Sequence, residues 1–154
     1  MILISIILIF ALRSFKIGLL SLIPNLIPAS LAFGVWGIAV GQVGLALSVV
    51  TGMTLGIVVD DTVHFLSKYL RARREKNLGS EDAVRYAFNT VGLALLVTSI
   101  VLIAGFLVLT FSAFQLNSNM AFMTAVTIVF AILADFLLLP PILMALDRKE
   151  HSNA

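Results

Sequence analysis

Cysteine is absent from the 154 residues and charge is scarce: ten Lys and Arg with eight Asp and Glu make up 12% of the chain. Without cysteine there is no disulfide, no thiolate nucleophile and no cysteine metal site. With 60% hydrophobic residues and a mean hydropathy of +1.11, there is too little polar surface to coat a water-soluble domain, which normally runs nearer half apolar and a quarter charged. Most of the exterior must face lipid or other apolar protein. Nucleic-acid binding also lacks a footprint, because the one basic cluster, Arg71 to Lys76, abuts a hydrophobic run that already accounts for it.

What is present is length in apolar runs. A bilayer core about 30 Å thick needs roughly 20 predominantly apolar residues as helix. On that ruler the chain divides into segments 1–12, 18–40, 45–69, 84–111 and 120–146. The expected fold is all-α, a polytopic transmembrane bundle over 1–146 with one truncated and four full spanning helices, a link at 70–83 and a tail at 147–154. The first segment would reach only about 18 Å as helix. It reads as a spanning helix that lacks its beginning, since no basic region precedes it and no small-residue cleavage site follows, as a signal peptide would require.

Basic residues orient the bundle. If the helices alternate, Arg13, Lys16, Lys68, Arg71, Arg73, Arg74, Lys76, Arg85, Arg148 and Lys149 all fall on one side, and the connections 41–44 and 112–119 on the other side carry no charge. Cytoplasmic loops are enriched in Lys and Arg, so the basic side and the carboxy terminus are expected in the cytoplasm. Ser80 reads as an N-cap with Glu81 and Asp82 in the first helical turn. The basic run is expected to be a solvated, topology-setting link that can also meet anionic lipid head groups.

Three carboxylates lie inside the spans: Asp60, Asp61 and Asp135. An ionisable residue at such depth costs roughly 3 kcal/mol on insertion scales and is a functional-site hypothesis by default. Gly52, Gly56, Asp60, His64 and Lys68 recur every four residues and form one stripe on a helix. Its small end suits close helix packing. Its polar end presents a carboxylate, an imidazole and an ammonium toward the cytoplasm. Asp61 points about 100° away from Asp60 on a 3.6-residue turn and can face a different neighbour. Apolar surroundings disfavour the charged form of a carboxylate, the adjustment that a proton-exchanging group near neutral pH needs.

Candidate support for the two acids comes from other segments. Thr98 and Ser99 lie near the middle of the fourth, where a hydroxyl either bonds a carboxylate or returns to its own helix. Asp135 sits near the centre of the fifth, ahead of Pro140 and Pro141, which interrupt helical hydrogen bonding. It serves either packing or the site. Pro24, Asn25 and Pro28 mark a local break in the second segment, and Trp36 lies near the outer interface. A metal site from Asp60, Asp61 and His64 is disfavoured, because adjacent residues diverge on a helix. No nucleophile, base and oxyanion constellation suggests an enzyme.

The run from Gly56 through Asp60, Asp61 and His64 to Leu66 resembles the signature in the second half of RND superfamily exporters, including MMPL-like and hopanoid or lipid exporters. Pro24 to Pro28, Thr98-Ser99 with Ala104 to Phe106, and Ala134 to Pro140 resemble the neighbouring helices in the family's order. The resemblance implies twelve spanning helices in two pseudo-repeated halves, with large extracytoplasmic porter domains. This chain would match the last five helices, half of an RND or sterol-sensing-type bundle. It implies that Asp60 is the relay acid of a proton-driven exporter of hydrophobic or lipid-like cargo in the inner, plasma membrane. Many members carry Tyr after that acid, where this chain has Asp61. The implied coupling ion is the proton, with no other cofactor. The implied partners are membrane lipids, the amino-terminal half and porter domains of the same parent, or a second copy in a homo-oligomer. A lipid-sensing or scaffolding bundle without transport is the alternative, and it does not require the acid pair.

Overall fold

The computed structural model describes residues 22–39 and 45–152, and every element among them is helical. They are α1 (Leu22–Ala39), α2 (Leu45–Glu75), α3 (Ser80–Ala87), a π turn (Phe88–Gly92), α4 (Leu93–Leu109), α5 (Gln115–Leu137) and α6 (Leu139–Ser152). The expected segment 1–12, Arg13, Lys16 and the connection at 40–44 lie outside the described residues.

Among the described residues two helical stretches, Ser80–Leu109 and Gln115–Ala145, are long and apolar enough to cross a membrane. The first is little covered by the rest of the chain. Leu93, Val101 and Val108 stand 77%, 64% and 69% exposed, far more apolar surface than water tolerates in one place. Buried hydroxyls bond back to their own helix: Thr54 of α2 and Thr124 and Thr127 of α5 donate to the carbonyls of Val50, Met120 and Met123 four residues back at 2.7–2.8 Å. That habit satisfies a polar group without water.

α5 is the hub, packing against α1, α2, α4 and α6. One apolar cluster joins Ala32 and Trp36 of α1, Val50 of α2 and Met123 of α5. Trp36 is therefore buried against neighbouring helices. A second cluster, at the other end of α2, joins Phe65, Leu66 and Tyr69 to Ala83 and Ala87 of α3 and to Leu139 and Leu143 of α6.

The link differs from the expected 70–83. α2 continues six residues past Tyr69 to Glu75, and the turn is confined to 76–79. Asn77 takes the left-handed conformation there at φ 50°, which Asn tolerates better than most side chains. Leu78 N–H returns to Ala72 O, and Arg73 holds Leu78 O at 2.9 Å. Ser80 is not the cap. Gly79 occupies that position, and the Ser80 hydroxyl instead pairs with Tyr69 Oη at 3.1 Å and reaches Leu143 O at 3.5 Å. A buried Tyr hydroxyl needs a partner, and this demand outweighs capping.

Two departures from regular helix shape the bundle. The inward line Ala83, Ala87, Val91, Leu95, Ser99 advances four residues per step, which in a regular α-helix drifts by about 40° each time. The wider i→i+5 turn at Phe88–Gly92 takes up part of that drift. The expected fifth span is broken at Leu138, since Pro140 and Pro141 have no N–H to donate and crowd the preceding turn.

The π turn is also locked from within. Phe88 stacks edge-on between Phe65 and Phe136, at centroid distances of 4.9 and 5.2 Å. Its ring lies so close to buried Gly92 that a Cβ there would stand 3.2 Å from Phe88 Cδ1. With that ring in edge contact with two others, Gly92→Ala is expected to destabilise the fold by about 1–3 kcal/mol as overpacking. Thermal unfolding in detergent measures it, and an unchanged midpoint would mean that the ring is free to move.

Candidate functional site

Successive residues on an α-helix project about 100° apart, and α2 uses this at three neighbouring positions. Asp60 faces outward, Asp61 faces α4, and Thr62 faces α1 and α5. The outward stripe Gly52, Gly56, Asp60, His64 is exposed throughout, whereas Val50, Thr54, Val58, Thr62 and Leu66, also four apart, are buried.

On the outward face Asp60 Oδ1 stands 3.6 Å from His64 Nε2, with the two side chains 72% and 60% exposed. They border a groove of about 640 Å³ that Gly56 floors on α2 and that Leu95, Thr98 and Leu102 line on α4. Asp61 also reaches this groove but is half-buried, and its Oδ2 accepts a hydrogen bond from the buried Ser99 hydroxyl at 3.3 Å. Thr98 takes the other course open to a helical hydroxyl. It returns to Ala94 O at 3.0 Å and Leu95 O at 2.9 Å.

Gly52 and Gly56 make no close helix contact among the described residues: a Cβ built on either meets nothing within 4 Å. The close approach expected of the stripe is thus not made to any described helix.

Asp135 is separate from this groove. It is 3% exposed, and its Oδ1 lies 2.9 Å from Thr62 Oγ1, which also lies 2.8 Å from Asn25 Oδ1. The structure therefore gathers Asp60, Asp61, His64 and Thr98 around one groove, with buried Ser99 behind Asp61, and sets Asp135 with Asn25 and Thr62 on the opposite face of α2. Thr62 escaped sequence reasoning, although its place four residues after Val58 and eight after Thr54 marked the inward row. Among the described residues, no three His, Asp or Glu side chains are grouped to hold a metal ion.

A helical chain with exposed apolar flanks and acids inside its apolar stretches has the character of a membrane protein. The MMPL family pattern matches residues 1–153, and the chain belongs to that family. A protein of Methanocaldococcus jannaschii, named only as a membrane protein, is 26% identical over 145 residues. The match covers 94% of this chain and 37% of that relative, so the chain spans little more than a third of the relative's length. No solved structure matches.

The two neighbouring hydroxyls predict different outcomes. Ser99→Ala removes the donor to Asp61 and is expected to lower stability by about 0.5–1.5 kcal/mol. Thr98→Ala removes only a bond within its own helix and should stay within about 0.5 kcal/mol of wild type. Unfolding midpoints of the two variants in detergent distinguish the roles.

Proposed function

We propose that this chain is the membrane-embedded carboxy-terminal part of a proton-driven RND-type exporter, with Asp60 and Asp61 carrying the coupling proton. The observation that supports this reading is the exposure of Asp60 and His64 within an apolar helix of a membrane-family chain. A charge at that depth facing lipid costs roughly 3 kcal/mol. The stripe is therefore covered by protein, with a water path to the acids. The open space over Gly52 and Gly56 suits a closely packed helix there, supplied by the amino-terminal half of the parent or by a second copy.

In this reading His64 lies on the cytoplasmic side of Asp60 and passes protons between water and the acid pair, while Ser99 holds Asp61 in its rotamer. Protonation removes charge from the covered face and changes how the two halves pack. The porter domains respond to that change through a population shift. Moving one charge across about 100 mV supplies roughly 2.3 kcal/mol. The basic residues 68–76 face the cytoplasm at the inner, plasma membrane and meet anionic lipid. Hydrophobic or amphipathic cargo is assigned by family analogy.

Two experiments test the reading. In the full-length protein, Asp60→Asn and Asp61→Asn are each expected to reduce proton-gradient-dependent export at least 100-fold, consistent with loss of an essential proton carrier. Undiminished export in both would sink the relay and favour a sensing or scaffolding bundle. Gly56→Leu, at a position where a Cβ meets nothing within 4 Å and an open groove lies beyond, should leave folding intact while abolishing export. Full export by Gly56→Leu would show that no helix packs over the stripe.

A further inference from the structure

On the face of α2 turned away from the groove, three polar side chains from three helices meet out of reach of bulk solvent. Thr62 is 0% exposed, Asn25 1% and Asp135 3%. Thr62 Oγ1 lies 2.8 Å from Asn25 Oδ1, 2.9 Å from Asp135 Oδ1 and 3.1 Å from Val58 O. Nearby, Asn25 Nδ2 is the one buried side-chain polar atom among the described residues without a partner.

A threonine hydroxyl has one proton to donate and two lone pairs to receive. With that one proton Thr62 serves only one of the three oxygens around it, so two of the contacts lack a proton if Asp135 is a carboxylate. Two short oxygen–oxygen contacts would then face each other lone pair to lone pair. A proton on Asp135 settles both side-chain contacts: Asp135 donates to Thr62 Oγ1, and Thr62 donates to Asn25 Oδ1, which leaves only the longer 3.1 Å contact to Val58 O without a proton. The other solution needs no added proton. If the Asn25 amide turns over, its orphaned Nδ2 donates to Thr62, which donates to an ionised Asp135. Each state holds two hydrogen bonds, running in opposite directions along the same three residues.

We propose that Asn25, Thr62 and Asp135 form a second proton-holding site, in which binding of one proton by Asp135 reverses a hydrogen-bond chain linking α1, α2 and α5. The proton is taken from water and returned to it, and no other bond forms or breaks. α1 is suited to follow the change, because Pro28 cannot donate to the carbonyl of Pro24 and so loosens the turn that carries Asn25. Few other charges can act on the site. α1 and α4 carry no ionisable residue, α5 carries only Asp135, and α6 carries its ionisable residues from 147 onward. From α2, Asp61 is the neighbour whose charge reaches Asp135, while Asp60 and His64 stand exposed at the groove. The site goes beyond the relay reading and does not need it, since it is read by spectroscopy whether or not the protein transports.

Infrared difference spectra of the full-length protein in lipid, recorded while pH is stepped, test this directly. The expected spectrum contains a protonated-carboxyl carbonyl band that is lost in Asp135→Asn and a side-chain amide change that is lost in Asn25→Ala. Thr62→Val, which removes the partner of the Asp135 proton, should move the carboxyl band to higher wavenumber, and Thr62→Ser should leave it in place. Persistence of the band in Asp135→Asn overturns the proposal, as does a spectrum without the Asn25 component. A band unmoved in Thr62→Val also overturns it. The Asp60→Asn, Asp61→Asn double variant should retain both signals, so loss of the relay and loss of this site remain separable.

Discussion

The turn of an α-helix imposes about 100° between neighbouring side chains, and at Asp60, Asp61 and Thr62 that angle sorts polar groups into three environments. One meets an uncovered groove, one a hydroxyl on α4, one a buried contact with α1 and α5. In an apolar interior every such group must find a partner within its own protein. The positions of α4, α1 and α5 around α2 are therefore coupled to where the partners Ser99, Asn25 and Asp135 stand. Displacing any one helix leaves a polar atom unsatisfied.

α5 makes this arrangement possible by touching all the principal neighbours at once. Its small residues Ala121, Ala125, Ala131 and Ala134 are buried and let backbones approach. Its aromatic Phe136 continues the Phe65–Phe88 contact into the π turn. Apolar packing and polar pairing thus converge on the same segment, near residues 134–136. The prolines that follow end α5 just beyond it and direct α6 back to Tyr69 and Ser80 through Leu143.

The glycine stripe carries a different lesson about small residues. Spacing of four predicts a surface that another helix can approach, and the surface is present, open over both Gly52 and Gly56. What spacing could not assign was the occupant, because none of the described helices fills it. The same face carries Asp60 and His64, the side chains least suited to lipid. Both features suit the cover proposed above, a protein surface outside the described residues.

Much of this was legible in order along the chain. Scarce charge and long apolar runs define an all-helical membrane chain. The period of four separates the row of Asp60 and His64 from its neighbours, and the motif from Gly56 to Leu66 resembles a signature of the family whose pattern matches residues 1–153. These are local properties, set by side-chain chemistry and by the pitch of one helix. Tertiary structure decided which hydroxyl answers which acid: Ser99 rather than Thr98 for Asp61, and Thr62 with Asn25 for Asp135. It also decided that Ser80 serves Tyr69 instead of capping its own helix, and that a π turn brings Leu95 and Ser99 inward. Those choices depend on distances between residues as far apart as Asn25 and Asp135, which no local period encodes. A hydrogen bond in a dry interior is satisfied only when separate helices arrive together.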